Sequence, residues 1–251
     1  MQSADIDKAA TILAAAYRGG GRADRLPDDC APRNAADALA IQARLIHMLG
    51  EQAAGWKGGV RRNGELFYGA VVASRLWPSP ATVPAARVPL LGVEAEIAFR
   101  FDRELPQRAE LYGRDEIAAH VSAVVAIEGV DTRFTSYDAA PFLDRAADLM
   151  SNGGLVTGTA VSDWQGVNLG ALTVVLTVGG REVVRQVGGH ASLDPILPAV
   201  DLANALTRSG SVPSGAIMTT GTFSGLNYAR PGDTVTVEFL GFGRAEIVFT
   251  A

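Results

Sequence analysis

Gly92-Val93-Glu94-Ala95-Glu96-Ile97-Ala98-Phe99 is the stretch around which this chain is organised. Apolar and acidic residues alternate along it, the pattern of a β-strand with one face on a core. Residues two apart in an extended chain point to the same face. Val93, Ala95, Ile97 and Phe99 therefore face one way together, and Glu94 and Glu96 stand side by side on the other. Adjacent carboxylates repel, each raising the other's pKa unless a cation lies between them. The pair is either the solvated face of a half-buried strand or part of a divalent-metal site, and residues elsewhere bear on the choice.

A third carboxylate stands at the end of another strand-like run. Residues 121–127 are largely apolar, which suits a strand buried on both faces, and they lead into Glu128 just before Gly129-Val130-Asp131. Burying a lone charge is expensive, so Glu128 either ends its strand at the surface or requires a cation or a dense hydrogen-bond network. Converged on Glu94 and Glu96, it would give an oxygen-only site completed by water, which suits Mg²⁺ or Mn²⁺ and not zinc.

Gly55-Trp56-Lys57-Gly58-Gly59 is the other chemistry-bearing stretch. Its glycines let the backbone approach a ligand closely. A lysine beside tryptophan is expected to be partly desolvated, its pKa lowered toward the range of an acid or base. The competing reading is a glycine-rich turn with an exposed lysine.

Composition bounds the remaining possibilities. The 251 residues, 48% of them apolar, can fill a sizeable core, and a formal net charge of -5 without any Lys/Arg-rich run leaves no electrostatic footprint for nucleic acid or an anionic membrane. The single cysteine, Cys30, excludes an intrachain disulfide framework and a Cys-based zinc site, which fits a reducing cytoplasm. No apolar run approaches the length that spans a bilayer, and the N-terminus has no basic segment leading into an apolar one, so a soluble, unexported protein is expected. His47, His120 and His190 read as surface or packing residues.

Two helices open the chain. Ile6, Ala9, Ala10, Leu13 and Tyr17 recur at helical spacing behind a Ser3 or Asp5 cap, and Gly19-Gly20-Gly21 ends the run. Asn34 caps a second helix that carries Ala38, Ile41, Leu45 and Leu49 and stops at Gly50. From Gly55 onward short strands are punctuated by glycine and proline. This divides the chain into an N-terminal helical segment, residues 1–52, and a β-rich catalytic domain, residues 53–251. Within the latter, residues 114–120 read as a short helix and residues 172–187 as a hairpin turning at Gly179-Gly180. Asp194-Pro195 reads as cap and first residue of a helix to about Arg208, with strands over 217–220, 234–239 and 245–249 closing the chain.

Taken together, Gly-Trp-Lys-Gly-Gly (55–59), Gly-Val-Glu-Ala-Glu-Ile-Ala-Phe (92–99), Ala-Ile-Glu-Gly-Val-Asp-Thr-Arg-Phe (126–134), Ser-Asn-Gly-Gly (151–154), Thr-Gly-Thr-Phe-Ser-Gly (220–225) and Arg-Pro-Gly-Asp (230–233) resemble the fumarylacetoacetate hydrolase superfamily. The resemblance is to its 2-keto-4-pentenoate hydratase / 4-oxalocrotonate decarboxylase branch and covers the chain from about residue 35. It implies an α+β fold, a mixed β-roll with N-terminal helices, usually in a homo-oligomer. It further implies that Glu94, Glu96 and Glu128 ligate Mg²⁺ or Mn²⁺ and that Lys57 is catalytic. Arg61-Arg62 departs from a Thr-Ser pair common among relatives, and Phe67 stands where an Asp often precedes Tyr-Gly. Arg61 is therefore either a solvated loop arginine or a clamp for a second substrate carboxylate; Ser151, Asn152 and Thr222 complete the candidate substrate contacts.

The activity implied is hydration of a 2-hydroxy-2,4-dienoate of aromatic meta-cleavage catabolism. A metal chelating the 1-carboxylate and 2-oxygen draws electrons toward C2 and stabilises an enolate. The same electron sink serves decarboxylation of 2-oxo-3-hexenedioate (4-oxalocrotonate), the first alternative. Hydrolysis of a C–C bond in an oxo-acid comes next, since it calls for a positioned histidine-type base. A non-catalytic subunit in complex with a homologous pathway enzyme is the alternative from outside enzymology.

Overall fold

The computed structural model describes residues 1–62 and 64–251, with the side chains of residues 59–61 left aside. Helix α1 (Ser3–Tyr17) buries Ala9, Ala10, Leu13, Ala14 and Ala16. Neither Ser3 nor Asp5 caps it: the N-cap is Gln2, which makes no side-chain cap bond, and Asp5 sits in the first turn, where an acid suits the helix dipole. Helix α2 (Ala35–Leu49) is capped by the Asn34 side chain, which accepts from Asp37 N at 2.9 Å, and ends at left-handed Gly50, as its sequence indicates.

Strands β1 (Ala53–Arg62), β2 (Glu65–Val72), β3 (Leu76–Pro78), β4 (Ala81–Pro84) and β5 (Gly92–Phe101) follow. Next come a short helix α3 (Arg114–Ala118), β6 (Val121–Val130), helix α4 (Phe142–Ala147) and β7 (Asn152–Val161). The hairpin of β8 (Thr173–Val178) and β9 (Arg181–Val187) leads to helix α5 (Ile196–Thr207), one residue later than Asp194-Pro195 suggests, with Pro195 at the cap. Strands β10 (Ile217–Thr222), β11 (Asn227–Tyr228), β12 (Thr234–Phe239) and β13 (Gly243–Thr250) complete the chain.

Among the described residues these strands form two sheets. The larger runs β2-β1-β10-β5-β6-β7-β3, with β11 on β5; the smaller runs β4-β13-β12-β8-β9. Their facing surfaces enclose the main core, where Val93, Ala95, Ile97 and Phe99 of β5 meet Val235, Val237 and Phe239 of β12 and Ile196 and Leu202 of α5. A second cluster joins α1 and α2 to Phe67 and Val72 of β2 and to Ala146 and Ala147 of α4. Buried Gln42 ties these elements together: its amide donates to Tyr68 O (2.8 Å) and Ala146 O (2.6 Å) and accepts from Ala70 N (3.1 Å). The outcome is the expected α+β fold, helices at the N-terminus and a curled mixed sheet. No helix of the described residues is long and apolar enough to cross a membrane.

The curl is demanded by one contact. Lys57 pairs with Thr219, Thr219 with Ala98 and Ala98 with Val124, so Glu128 lies three strands over and four residues along from Lys57. On a flat sheet that is roughly 20 Å, beyond the combined reach of the two side chains. They nevertheless meet at 2.5 Å. On the concave face between them Ala98 and Ala126 pack with Val71, Leu155 and Ile217 into a small buried cluster.

Beneath β7 lies a buried ion pair. Arg133 Nε donates to Asp148 Oδ1 at 2.5 Å, the Arg133 backbone N–H donates to Asp148 Oδ2 at 2.9 Å, and Nη1 donates to Asn152 O at 3.0 Å. Breaking a buried pair by removing one partner costs about 3–5 kcal/mol. Arg133→Leu is expected to lower unfolding stability by that order in urea titration; a change under about 1 kcal/mol would show that the pair is not structural.

Candidate metal centre

Strand register assembles the site. Strands β5 and β6 run antiparallel with Glu94 directly opposite Glu128. Opposite residues share a face, and Glu96 lies two along from Glu94, so all three carboxylates rise from the concave side. One oxygen from each lies within 4.8 Å of the others. Glu96 and Glu128 are buried and Glu94 is partly so.

Glu128 is oriented by two donors on one oxygen. Lys57 Nζ lies 2.5 Å from Oε1 and Asn152 Nδ2 donates to the same atom at 3.1 Å, while Oε2 is buried with no hydrogen-bond partner. Glu96 Oε2 is likewise buried and unpartnered. Burial, then repulsion from Glu128, pushes Glu94 up to about 7, with Lys57 pulling it back. Glu96 is held well above the usual carboxylate range by burial and by both neighbouring glutamates.

Lys57 departs from the sequence expectation. Burial alone pushes its pKa down, but Glu128, Glu94 and Glu96 more than reverse this, and the net direction is upward. It is an ammonium locked to a carboxylate, not a lysine made neutral by tryptophan.

These residues fit a divalent cation. Once ionised, three carboxylates against one ammonium leave an excess of two negative charges, and two buried carboxylate oxygens lack a donor. Oxygen-only donors are those of Mg²⁺ or Mn²⁺.

The carboxylates open into a cavity of ≈ 250 Å³. Of the residues anticipated from sequence, Lys57, Glu94, Glu96, Glu128, Ser151 and Thr222 line it. Asn152 does not; its amide is committed to Glu128. The side chain of Arg61 lies outside the described residues. Arg62 is exposed and stacks over the Phe142 ring at 4.6 Å. His190 braces the adjoining segment, its Nε2 2.9 Å from Thr220 O and its Nδ1 accepting from Ser192 N at 3.0 Å. This is a packing role, as expected.

Sequence reasoning missed Tyr137, Phe142, Arg145, Met150, Thr219 and Thr220, which also line the cavity. Pro141 before Phe-Leu-Asp-Arg-Ala-Ala was a readable helix start. The backbone after it was not readable: Leu149, Met150 and Ser151 all adopt left-handed φ (52°, 53°, 59°) without a glycine. That turn presses on β2, where a Cβ at Gly69 would fall 2.1 Å from Leu149 O. Such strain persists only where surrounding structure imposes it, and it clusters at functional sites. On the opposite wall the β10–β5 register shifts between Thr219 and Thr222, through Gly221 at φ +118°, a bulge that re-aims Thr222.

The family model described as Fumarylacetoacetate (FAA) hydrolase C-terminal matches residues 52–249. The chain belongs to the fumarylacetoacetate hydrolase family. It is 28% identical to a 2-keto-4-pentenoate hydratase of Burkholderia vietnamiensis over 257 residues, 98% of this chain and 97% of that one. It is 28% identical over 163 residues to a 4-oxalocrotonate decarboxylase of Pseudomonas putida, 62% of this chain and 59% of the other. A solved 4-oxalocrotonate decarboxylase from Pseudomonas putida G7, complexed with magnesium and adipate, has the same fold: TM-score 0.80 at 21% identity, covering 99% of this chain and 98% of that one. Among fumarylacetoacetate hydrolase family members these relatives are lyases, and this chain is an enzyme of that kind.

Glu94→Gln and Glu128→Gln are each expected to abolish Mg²⁺ and Mn²⁺ binding in calorimetry with the far-ultraviolet dichroism unchanged; retained affinity would refute the ligand set. Asn152→Ala, which frees Glu128 from one of its two donors, is expected to weaken metal affinity about 10–100-fold. A metal ion competes with protons for these groups. Affinity should therefore rise as pH increases through about 7, where Glu94 loses its proton, and binding at neutral pH should release protons.

Proposed function

We propose that this enzyme is a divalent-metal-dependent hydratase of a 2-hydroxy-2,4-dienoate. The observation that carries the reading is the convergence of Glu94, Glu96 and Glu128 on one concave sheet face with Lys57 locked to Glu128. The hydratase relative that aligns over 98% of the chain supports this choice of reaction. Decarboxylation of 2-oxo-3-hexenedioate is the second reading, supported by the shorter alignment to a decarboxylase. Among the described residues no histidine lines the cavity, which weighs against hydrolysis of a C–C bond.

Glu94, Glu96 and Glu128 would hold Mg²⁺ or Mn²⁺, Glu96 and Glu128 through their unpartnered Oε2 atoms. When bound, the ion supplies Lewis-acid polarisation of the C1 carboxylate and C2 oxygen of the oxo-acid. The remaining work falls to side chains. Lys57, an ammonium with its side chain 14% exposed, would deliver a proton to C5 as the dienol gives up its O2 proton to solvent and becomes the 2-oxo-3-enoate. Ser151 Oγ, buried with no partner, is available to hold the water whose oxygen adds at C4 while a proton adds at C3. Thr222, re-aimed by the bulge, bounds the same space.

The purified, Mg²⁺-loaded chain is expected to add one water to 2-hydroxypenta-2,4-dienoate, seen as ultraviolet loss and a mass gain. Loss of CO₂ from 2-oxo-3-hexenedioate would instead establish the decarboxylase. Turnover by the isolated chain would also dispose of a purely non-catalytic role beside a homologous partner enzyme. At saturating Mg²⁺, Lys57→Ala should keep the metal and lose about 10²–10⁴ of the rate; a near-normal rate removes Lys57 from the mechanism.

A further inference from the structure

The cavity contains a cation that the metal centre does not use. Arg145, on α4, lines it with the three glutamates, and its Nε is buried without a hydrogen-bond partner. Its guanidinium lies over the Tyr137 ring, 5.0 Å from the centroid. The acid next to it in sequence, Asp144, is turned away and accepts from Leu26 N at 2.7 Å. Among the described residues no carboxylate pairs with Arg145. Lys57, the other cation of the cavity, is already taken by Glu128.

A partly buried guanidinium without a counter-charge is costly, and stacking on one tyrosine offsets only part of that cost. The group that satisfies it best is a carboxylate, which matches the planar fork of arginine with two parallel hydrogen bonds. The three glutamates of the lining are committed to the metal centre and none pairs with Arg145, so a carboxylate for it has to arrive with the ligand. A cavity of ≈ 250 Å³ admits a short acyclic acid. In the reading given above, on which this inference rests, the 2-oxo-acid head is committed to the metal centre. The arginine then meets the tail.

We propose that Arg145 is a specificity-determining residue for a second carboxylate at the far end of the substrate, so that the enzyme acts on a dicarboxylic 2-hydroxydienoate or 2-oxo-enoate in preference to the unsubstituted pentadienoate. The proposal holds whether the chemistry is hydration or decarboxylation, because it concerns how the tail is held. A substrate ending in an uncharged vinyl group would leave the guanidinium desolvated and unpaired, and the site would discriminate against it for that reason.

The test uses two saturated acids of equal length that are not turned over, 2-oxoadipate and 2-oxohexanoate, titrated calorimetrically into Mg²⁺-loaded protein. Wild type is expected to bind 2-oxoadipate about ten-fold or more tightly than 2-oxohexanoate, a margin typical of a charge-assisted hydrogen bond. Arg145→Gln should erase that preference while leaving 2-oxohexanoate and Mg²⁺ affinities unchanged, and Arg145→Lys should restore part of it. Equal affinities in wild type overturn the proposal. So does equal weakening of both acids by Arg145→Gln, which would place the arginine on the head carboxylate. If Mg²⁺ binds but neither acid does, the oxo-acid reading itself fails and the inference falls with it; intact Mg²⁺ affinity in each variant separates these outcomes from misfolding.

Discussion

Everything in this molecule that bears on chemistry depends on holding three carboxylates together out of water. Left to themselves Glu94, Glu96 and Glu128 repel, and burial in the hollow of the sheet makes the repulsion worse, as the upward shifts of Glu94 and Glu96 record. Antiparallel pairing of β5 and β6 imposes the arrangement regardless, because a one-residue slip would turn every side chain of β5 to the other face and expose Val93, Ala95, Ile97 and Phe99. The apolar core therefore fixes the register, and the register fixes the site. The electrostatic cost of the site is met by the hydrophobic face of the same strand.

Support for the carboxylates comes from further out. Lys57 reaches Glu128 only because the sheet curls, and Asn152 reaches it from the start of β7. The carbonyl of Asn152 is in turn held by Arg133, whose partner Asp148 is buried and raised to about 6 by that burial despite the guanidinium beside it. A chain of contacts thus runs from a buried ion pair through the strand backbone to the orientation of one carboxylate. Outer partners of this kind preorganise a site that loose loops cannot hold.

Much of this was legible in the sequence, and the reason is periodicity. Alternation at residues 92–99 and the apolar run before Glu128 placed all three glutamates on strands, and the capping chemistry of Asn34 and Gly50 bounded α2 correctly. What periodicity does not encode is curvature and contact at a distance. The upward shift of Lys57 arises from glutamates roughly forty and seventy residues away in sequence, which no local reading of Gly-Trp-Lys-Gly-Gly contains. The left-handed turn at Leu149, Met150 and Ser151 is carried by residues with no intrinsic preference for it, held in place by α4 and by the close approach of Gly69. Ser3 and Asp5 were plausible caps whose neighbour Gln2 took the position instead.

That difference in legibility follows the division of labour in the fold. The glutamates and Lys57 stand on paired strands, where backbone hydrogen bonds and a packed face fix their positions. Tyr137, Phe142, Arg145 and Met150, which bound the rest of the cavity, stand on a six-residue helix and the irregular chain flanking it. Changes there alter the shape and charge met by a substrate's tail without disturbing the register that holds the head. A scaffold so divided can keep one set of carboxylates and exchange one tail for another, or hydration for decarboxylation, by changes in a single segment. The same division explains why family membership follows from strand motifs, whereas on the proposed reading the tail of the substrate would be met largely by residues between Asp131 and Asn152.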